Sequence, residues 1–436
     1  MAAALPPEIH HLVTSFITQD LGLNEHGDPI DFGKPTTVRR VPRVSDLNAL
    51  SQTCRTLYNN INWVLSRAFE DYGVLRKIAL RFALENSRME LFERLVQLGA
   101  PIDAEYTNFT QEPHERHTLF IAASRRGNVR AVKMILEALG HKAASIAWQR
   151  RPSFDGRTAL DVAAWSGDIE VVRLLAELAP PADEDLDRDP WRFSRGKYLG
   201  NALLKAASAL DQEDPRRFAV IQLLVETYGA DVNFIHHSTG LNSILLRATE
   251  RDNATVVRYL LEHGADPNLC SSRNESQEYR APLHVAASNR NLAVIAALLD
   301  AGADPNARER HADRRPLTNV LINAPLNSPR ETVHACRLLI EAGAQVNAAD
   351  DMLVTPLHQV CKQLPMNVPL LELLLSAGGA ESVQKRDYIH DATPVEMAME
   401  KGADNLEIVE SLLLPHVVDL ELRKKVDDWV IAMVKT

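Results

Sequence analysis

From about residue 76 onward the sequence repeats one pattern, and this repetition limits the possible folds more than any other feature. Each copy contains two short apolar segments, and most copies close on a glycine that is usually followed by alanine. The last copy ends at residues 409–414 without this closing pair. Five closing glycines are separated by 35, 38, 41 and 35 residues: Gly229, Gly264, Gly302, Gly343 and Gly378. A unit of this length cannot bury an apolar face alone, so neighbouring units must stack. The pattern therefore predicts a solenoid of stacked helix pairs.

The residues that recur in the copies have physical roles at helix ends and helix contacts. Thr355 is placed to cap a helix that begins with Pro356, a residue that loses no needed N–H at that position. Paired alanines let adjacent helices approach closely, and paired leucines fill the layer between them. The closing glycine ends the second helix, where a left-handed backbone is needed. The Asp-x-Asn that follows is typical of a turn.

Two motifs in the repeat resemble those of ankyrin repeats, whose period is about 33 residues. They are Thr-Pro-Leu-His at residues 355–358 and Leu-Leu-x-x-Gly-Ala-Asp-x-Asn at residues 298–306. The resemblance implies an all-α ankyrin-repeat solenoid of about nine helix-turn-helix units over residues 71–414. It also implies that His284 and His358 form local hydrogen bonds that hold the hairpin to the helix. Residues 415–436 are predicted to form a capping helix with four apolar residues on one face: Leu422, Val426, Trp429 and Met433.

Residues 1–70 do not follow the repeat. They contain Leu-Pro-x-Glu-Ile at residues 5–9 and Asp-Leu-x-x-Leu-x-x-x-Cys-Arg-x-Leu-Tyr at residues 46–58. These motifs resemble an F-box, a three-helix element that binds a Skp-type adaptor of a cullin ubiquitin ligase. The resemblance implies that five residues dock the adaptor: Leu5, Pro6, Ile9, Leu47 and Leu50. An F-box-like segment joined to ankyrin repeats is similar to the F-box/ankyrin proteins common in fungi.

An inserted loop at residues 22–43 departs from the F-box pattern. It helps to separate Leu5 from Asp46 by 41 positions, where the family has a much shorter link. The loop either lies harmlessly at the edge of the element or obstructs the adaptor. The alternative to docking is that the three helices only cap the first repeat unit.

The candidate residues for binding a protein partner are those that end the first helix of a unit. The phase of the repeat places them on the concave face of the solenoid, and Trp and Arg are the residues that most often carry interface energy. The candidates are Arg125, Arg126, Trp165, Glu250, Arg251, Ser288 and Asn289. For Trp165 the alternative is packing against a neighbouring unit. The inserted loops at residues 105–116 and 179–196 either belong to the binding face or are tolerated surface excursions.

The sequence has none of the motifs that would indicate an enzyme or a cofactor site. It has no phosphate-binding loop, dinucleotide fingerprint, zinc-protease motif or nucleophile elbow, so we predict no catalytic residues, no metal and no cofactor. The net charge is −10, which does not favour nucleic acid, and no apolar run is long enough for a membrane span. The four cysteines form no Cys-x-x-Cys pair, which indicates buried thiols in a reducing compartment. A cytoplasmic or nuclear location is expected.

These observations lead to two hypotheses about function. In the first, the chain is a non-enzymatic substrate receptor of a cullin-type ubiquitin ligase, in which the F-box-like helices bind a Skp-type adaptor and the concave face holds a target protein. In the second, the chain is an ankyrin scaffold or inhibitor without a ligase link. Outside its complex the protein is expected to be a monomer. An enzyme on this scaffold would require a buried cluster of histidine and acidic residues in a deep pocket.

Overall fold

The computed structural model describes most of the chain from Leu80 to Lys435. The described residues are 80, 83–84, 87–97, 99–100, 102, 105–107, 116–144, 157–178, 195–208, 214–235, 243–270, 280–309, 312–322, 329–363 and 365–435. The F-box-like segment, with Leu5, Pro6, Ile9, Leu47 and Leu50, lies outside them, as does the loop at residues 22–43. The chain divides into two compact units, Met1–Ala159 and Leu160–Thr436.

The described part of the first unit contains helices and one short hairpin. Its helices are α1 (Met89–Gln97), α2 (Leu119–Arg125) and α3 (Val129–Leu139), and α3 is followed by a 3-10 turn at Gly140–Lys142. Strands β1 (Glu105–Thr107) and β2 (Arg116–Thr118) pair antiparallel, with Glu105 opposite Thr118. The hairpin departs from the all-α prediction, because Tyr and Thr favour strands and the extra residues between them give room to pair. Helix α3 packs against both α1 and α2, as expected for stacked helix pairs.

The described part of the second unit contains seven successive helix pairs. They are α4 (Ala159–Ser166) with α5 (Ile169–Ala176), α6 (Arg195–Ser208) with α7 (Pro215–Gln222), α8 (Ile244–Glu250) with α9 (Ala254–Glu262), α10 (Pro282–Asn289) with α11 (Leu292–Asp300), α12 (Pro316–Leu321) with α13 (Pro329–Glu341), α14 (Pro356–Cys361) with α15 (Val368–Ser376), and α16 (Pro394–Met399) with α17 (Leu406–Ile408). Two second helices continue as π-helical turns, α7 into Leu223–Thr227 and α17 into Val409–Leu413.

The helix pairs of the second unit stack in two layers. First helices contact first helices, as α10 does with α8 and α12, and second helices contact second helices, as α11 does with α9 and α13. Leucine, valine and alanine side chains fill the space between the layers, and Leu298 and Ala286 are fully buried. The all-helical solenoid predicted from the repeat is therefore confirmed for this unit. The total of nine units stays a prediction.

Helix α18 (Leu420–Lys435) follows the last pair and packs against α16. On its predicted apolar face Leu422 and Val426 are buried, whereas Trp429 and Met433 are only partly covered. The side chain of Lys425 also forms a salt bridge with Glu396 of α16. Two buried apolar residues and an ion pair therefore help to attach the helix, and the N–H of Asp419 just before it donates to Gln384 Oε1 at 2.8 Å. Its role as a cap stays a prediction.

Asparagine side chains begin the second helix in four pairs. In each pair the Oδ1 atom accepts the backbone N–H of the residue three positions further on, at donor–acceptor distances of 3.0 to 3.2 Å. These asparagines are Asn128, Asn253, Asn291 and Asn367. Such a cap satisfies an N–H that has no partner inside the helix and contributes about 1 kcal/mol to stability. The caps fix where each second helix starts and so keep the pairs alike.

A second set of asparagines joins neighbouring helix pairs of the second unit. Asn268 donates from Nδ2 to the carbonyl of Gly302 at 3.0 Å, and its Oδ1 accepts the N–H of Asp304 at 2.8 Å. Asn233 makes the same two bonds one helix pair earlier, and Asn306 makes them one helix pair later. The residues predicted only to turn the chain therefore also form a ladder of hydrogen bonds along the second unit.

Candidate protein-binding surface

The first two predicted partner residues lie in the first unit. Arg125 is the last residue of α2, and Arg126 follows it as the C-cap residue of that helix. Both side chains are exposed. The backbone N–H of Arg126 bonds to the carbonyl of Ala122, so the helix end is ordered where the two guanidinium groups begin.

Trp165 lies at the end of α4 and packs against the next helix pair. The guanidinium carbon of Arg217 is 5.8 Å from the centre of the indole ring, and Arg217 Nε donates to the carbonyl of Trp165 at 3.0 Å. Trp165 nevertheless keeps 44% of its surface exposed. The ring thus connects two helix pairs and still presents part of its surface to solvent.

The other four predicted residues lie at the ends of α8 and α10. Asn289 donates from Nδ2 to Asp252 Oδ1 at 2.9 Å, which joins the turns that follow these two helices. Ser288 donates to the carbonyl of His284 in its own helix at 2.9 Å. Glu250 accepts from Arg247 at 2.9 Å, and Arg251 is exposed. The polar groups of Glu250, Ser288 and Asn289 are therefore already engaged within the array.

A groove that the sequence analysis did not predict lies further along the second unit. It has a volume of about 400 Å³ and is bounded by the C-terminal ends of α12 and α14 and by the loops that precede α14 and α16. Its lining includes apolar and basic residues: Arg314, Leu321, Ile322, Met352, Lys362 and Ile389. We refer to it below as the α12–α14 groove.

Large apolar side chains stand exposed beside this groove. They are Met352, Leu353, Tyr388 and Ile389, with 49% to 77% of their surface exposed, and we call them the hairpin patch. The backbone N–H of Tyr388 donates to the carbonyl of Met352 at 2.9 Å, so the two loops that carry the patch are joined. Grouped exposed apolar residues of this kind mark interaction sites in proteins.

Buried aspartates hold both loops in place. Asp350 Oδ1 accepts the backbone N–H groups of Met352 and Val354, each at 2.9 Å. In the next loop Asp387 Oδ1 accepts the N–H groups of His390 and Ala392 at 3.2 and 3.1 Å. Burial alone would raise the pKa of Asp387, but the hydrogen bonds from His390 and Ala392 hold this pKa below its usual value. Each loop is therefore organised around a carboxylate, and its apolar residues point away from the core.

Leu353 has an unusual backbone conformation for its side chain. Its φ angle is +59°, in the left-handed region that glycine, asparagine and aspartate adopt more readily. The cost for a residue such as leucine is about 1–2 kcal/mol. Because 52% of its surface is exposed, burial of Leu353 does not offset this cost within the chain.

The groove also carries positive charge. Arg314 and Lys362 line it, and the Nε atom of Arg314 is buried without an acceptor among the described residues. Asp350, the acidic residue in the lining, already accepts two backbone N–H groups. A groove of mixed apolar and polar lining, with an unpartnered guanidinium nitrogen, suits an incoming acceptor group better than an incoming cation.

The histidines of the two Thr-Pro-Leu-His-type motifs have structural roles, as predicted. His284 Nδ1 accepts the N–H of Ala281 at 3.3 Å, and its Nε2 lies 3.0 Å from the carbonyl of Ala307. His358 Nδ1 accepts the N–H of Thr355 at 3.1 Å. Burial lowers the pKa of both imidazoles, so both are neutral near pH 7. Each imidazole holds the start of a first helix.

The thiols follow the prediction only in part. Cys336 and Cys361 are fully buried, and burial raises the pKa of Cys361 to about 12. Cys270 is only half-buried, which corrects the expectation of a buried thiol, because it follows the Asn268 turn at the edge of the array. Cys54 lies outside the described residues.

The described residues contain no group of three or more histidine, cysteine, aspartate or glutamate residues that could hold a metal ion. None of the described helices is both long and apolar enough to cross a membrane.

Comparison with known proteins gives three kinds of match. A family model described as "Ankyrin repeats (3 copies)" matches residues 80–187 and 203–309. A protein of Rickettsia bellii (strain RML369-C), named as an ankyrin repeat protein, is 28% identical over 190 residues, which cover 43% of this chain and 69% of that protein. The α12–α14 groove and the hairpin patch follow the matched segments in sequence.

Two solved structures also match. The human ASB11 ankyrin repeat domain is 20% identical with a TM-score of 0.43, and the match covers 61% of this chain and 98% of that one. The ankyrin repeat domain of Bcl-3 is 24% identical with a TM-score of 0.40, and the match covers 56% of this chain and 95% of that one.

Proposed function

Because this chain is an ankyrin-repeat protein, we propose that it is a non-enzymatic binding protein that holds a protein partner on the α12–α14 groove and the hairpin patch. The observation that carries this proposal is the exposure of Met352, Leu353, Tyr388 and Ile389 on two hydrogen-bonded loops beside the groove. A protein partner can cover such an area, whereas a small molecule in the groove would leave the loops exposed.

The finer proposal is that the chain is a substrate receptor of a cullin-type ubiquitin ligase. The F-box-like motifs at residues 5–9 and 46–58 support it, with Leu5, Pro6, Ile9, Leu47 and Leu50 docking a Skp-type adaptor. In that arrangement the ligase supplies the chemistry. The ankyrin array contributes by raising the effective concentration of the target near the ligase.

The second candidate is a scaffold or inhibitor that uses the same surface without a ligase. The inserted loop at residues 22–43 favours it, because Leu5 and Asp46 are separated by 41 positions. In this case the F-box-like helices of residues 1–70 would only cap the array, and the ankyrin array would sequester the protein partner.

Partner binding is tested by affinity purification with the full chain and two charged variants. Ile389→Lys places a charge in the hairpin patch, whereas Leu420→Lys places the same charge on another exposed apolar residue. We expect a partner that co-purifies with the wild type and with Leu420→Lys but is lost with Ile389→Lys. Equal recovery of every partner by all three proteins would contradict the proposed surface.

The ligase link is tested by co-purification with a recombinant Skp-type adaptor. The double variant Leu5→Ala, Pro6→Ala should lose the adaptor if the receptor proposal is correct. Circular dichroism and the unfolding midpoint serve as controls for folding. Wild-type chain that does not bind the adaptor would favour the scaffold or inhibitor.

A further inference from the structure

We propose that the occupant of the α12–α14 groove is a peptide segment that places an aspartate or glutamate on Arg314 beside apolar side chains on the hairpin patch. This proposal rests on the proposed function and narrows it to one partner chemistry. It is carried by the backbone conformation of Leu353, by the charge of the groove, and by the size and position of the apolar surface.

The Leu353 loop shares a backbone feature with the loops before and after it in the array. It differs from them in the side chain at that position. Asp313, Leu353 and Asp391 each lie three positions before the proline that begins the next first helix. All three have a positive φ, of 47°, 59° and 49°. Aspartate adopts this conformation readily because its short polar side chain can bond locally, but leucine cannot.

The left-handed backbone at this position therefore displays a large apolar side chain at a cost to folding. Leu353 is more than half exposed, and the adjacent Met352 is exposed to a similar degree. A conformational cost that the folded chain does not recover by burial points to a role in recognition. We expect this conformational cost to be offset when a partner covers the Leu353 side chain.

The charge of the groove selects the polar part of the occupant. Arg314 Nε is buried at the groove with no acceptor among the described residues, so it is desolvated before a partner arrives. A carboxylate beside the Arg314 guanidinium offsets this cost through its charge and forms a charge-assisted hydrogen bond. Lys362 in the same lining adds attraction for an acidic group. Asp350 opposes this attraction, but the two cations outnumber it in the lining, and its Oδ1 is directed at the N–H groups of Met352 and Val354.

The dimensions of the surface select a peptide. The groove holds about 400 Å³, enough for a few side chains, and the hairpin patch extends it along two loops. A segment with large apolar residues next to an acidic residue fills the groove and covers the patch at the same time. A free anion would satisfy Arg314 but would leave the four patch residues in water.

The test begins with random peptides displayed on phage and selected on the immobilised full chain. We expect the selected peptides to combine large apolar residues with at least one acidic residue. Synthetic versions are then titrated against the wild type, Arg314→Gln, Leu353→Asn and the control Leu420→Ser. Arg314→Gln should weaken binding about tenfold or more, since it removes one charge-assisted bond. Leu420→Ser should bind like the wild type.

Leu353→Asn separates recognition from structural damage. Asparagine tolerates the left-handed backbone, so this variant should raise the unfolding midpoint while it weakens peptide binding about tenfold. A variant that merely disturbs the fold would lower both stability and affinity.

Three results would overturn the proposal. They are selected peptides without acidic residues, affinities that Arg314→Gln and Leu353→Asn leave unchanged, and a full chain that dimerises in sedimentation through Ile389, which would make a second copy the occupant. If a protein partner is still lost with Ile389→Lys in any of these cases, the proposed function stands and only the peptide chemistry fails.

Discussion

Asn306 and Gly343 are 37 positions apart in sequence, yet Asn306 Nδ2 donates to the Gly343 carbonyl at 2.9 Å. The Oδ1 atom of the same side chain accepts the N–H of Gln345 at 2.8 Å. One amide thus satisfies two backbone groups just after the end of the next second helix. Because Asn233 and Asn268 make equivalent bonds, the helix pairs are joined by polar contacts as well as by their apolar layers.

Replacing Asn306 with alanine should lower the free energy of unfolding by about 1–2 kcal/mol, since two hydrogen bonds of about 1 kcal/mol each are lost. The loss weakens the interface between two neighbouring helix pairs, so urea unfolding should also become less cooperative. Ser376→Ala is the control, because the exposed Ser376 hydroxyl donates to the Leu373 carbonyl within its own helix. Equal effects of the two variants would show that the Asn306 bridge does not couple the units.

The helix pairs could be predicted from sequence because each depends on local signals. Prolines begin first helices at Pro282, Pro316 and Pro356, and a glycine with a positive φ follows five second helices of the second unit, as Gly302 follows α11. The asparagine ladder could not be predicted in the same way. Its bonds join residues more than thirty positions apart, and they depend on how closely the units stack.

The groove was missed for a different reason. Sequence reasoning placed partner contacts at the ends of first helices, where Glu250 and Asn289 turn out to bond within the array. The hairpin patch instead occupies loop positions that the repeat leaves free. One signal was present in the sequence. Met352-Leu353 and Tyr388-Ile389 are pairs of large apolar residues in loops, where small and polar residues are usual.

The buried histidines should make stability depend on pH. Burial lowers the pKa of His284 and His358 from the ordinary value of 6.5, so the unfolded chain takes up protons that the folded chain does not. The contribution to stability is therefore complete above about pH 6.5 and is lost as the pH falls below that value toward the folded-state pKa.

Urea unfolding measured between about pH 8 and pH 5 tests this dependence. The wild type should lose stability below about pH 6.5, and the double variant His284→Asn, His358→Asn should start less stable and show a shallower slope. His334→Asn is the control, because His334 is exposed and its Nδ1 bonds to the Arg330 carbonyl within its own helix. A slope that survives in the double variant would assign the dependence to other groups.

The contact between Trp165 and Arg217 should contribute measurably to the packing of neighbouring helix pairs. A double-mutant cycle with Trp165→Ala and Arg217→Ala should give a coupling energy of about 0.5–1 kcal/mol, the range of a partly exposed cation–π pair. The hydrogen bond from Arg217 goes to the Trp165 carbonyl, which alanine retains, so the cycle reports on the ring itself. A coupling near zero would mean that the exposed indole is held by its own helix alone.

Glu396 should control the attachment of α18. Its Oε2 accepts the N–H of Thr393 at 2.9 Å, and its Oε1 bonds to Lys425 Nζ. Burial alone would raise the pKa of Glu396, but the bonds from Lys425 and Thr393 hold it below the usual 4.5. The ionised carboxylate therefore contributes stability above about pH 4.5, and this contribution is lost as the pH falls through the lower folded-state value.

Two variants separate the roles of Glu396 in capping α16 and in holding α18. Lys425→Gln removes only the ion pair, of which the lysine is exposed, so it should cost no more than about 1 kcal/mol. Glu396→Gln also weakens the cap and removes the ion pair with Arg386, so it should cost about 1–2 kcal/mol at neutral pH, a difference that disappears in acid. Limited proteolysis should cut both variants within α18 before the rest of the second unit, because Leu422 and Val426 are then its main remaining attachments. Cleavage of α18 at the wild-type rate in both variants would show that these two apolar residues hold the helix without help from the ion pair.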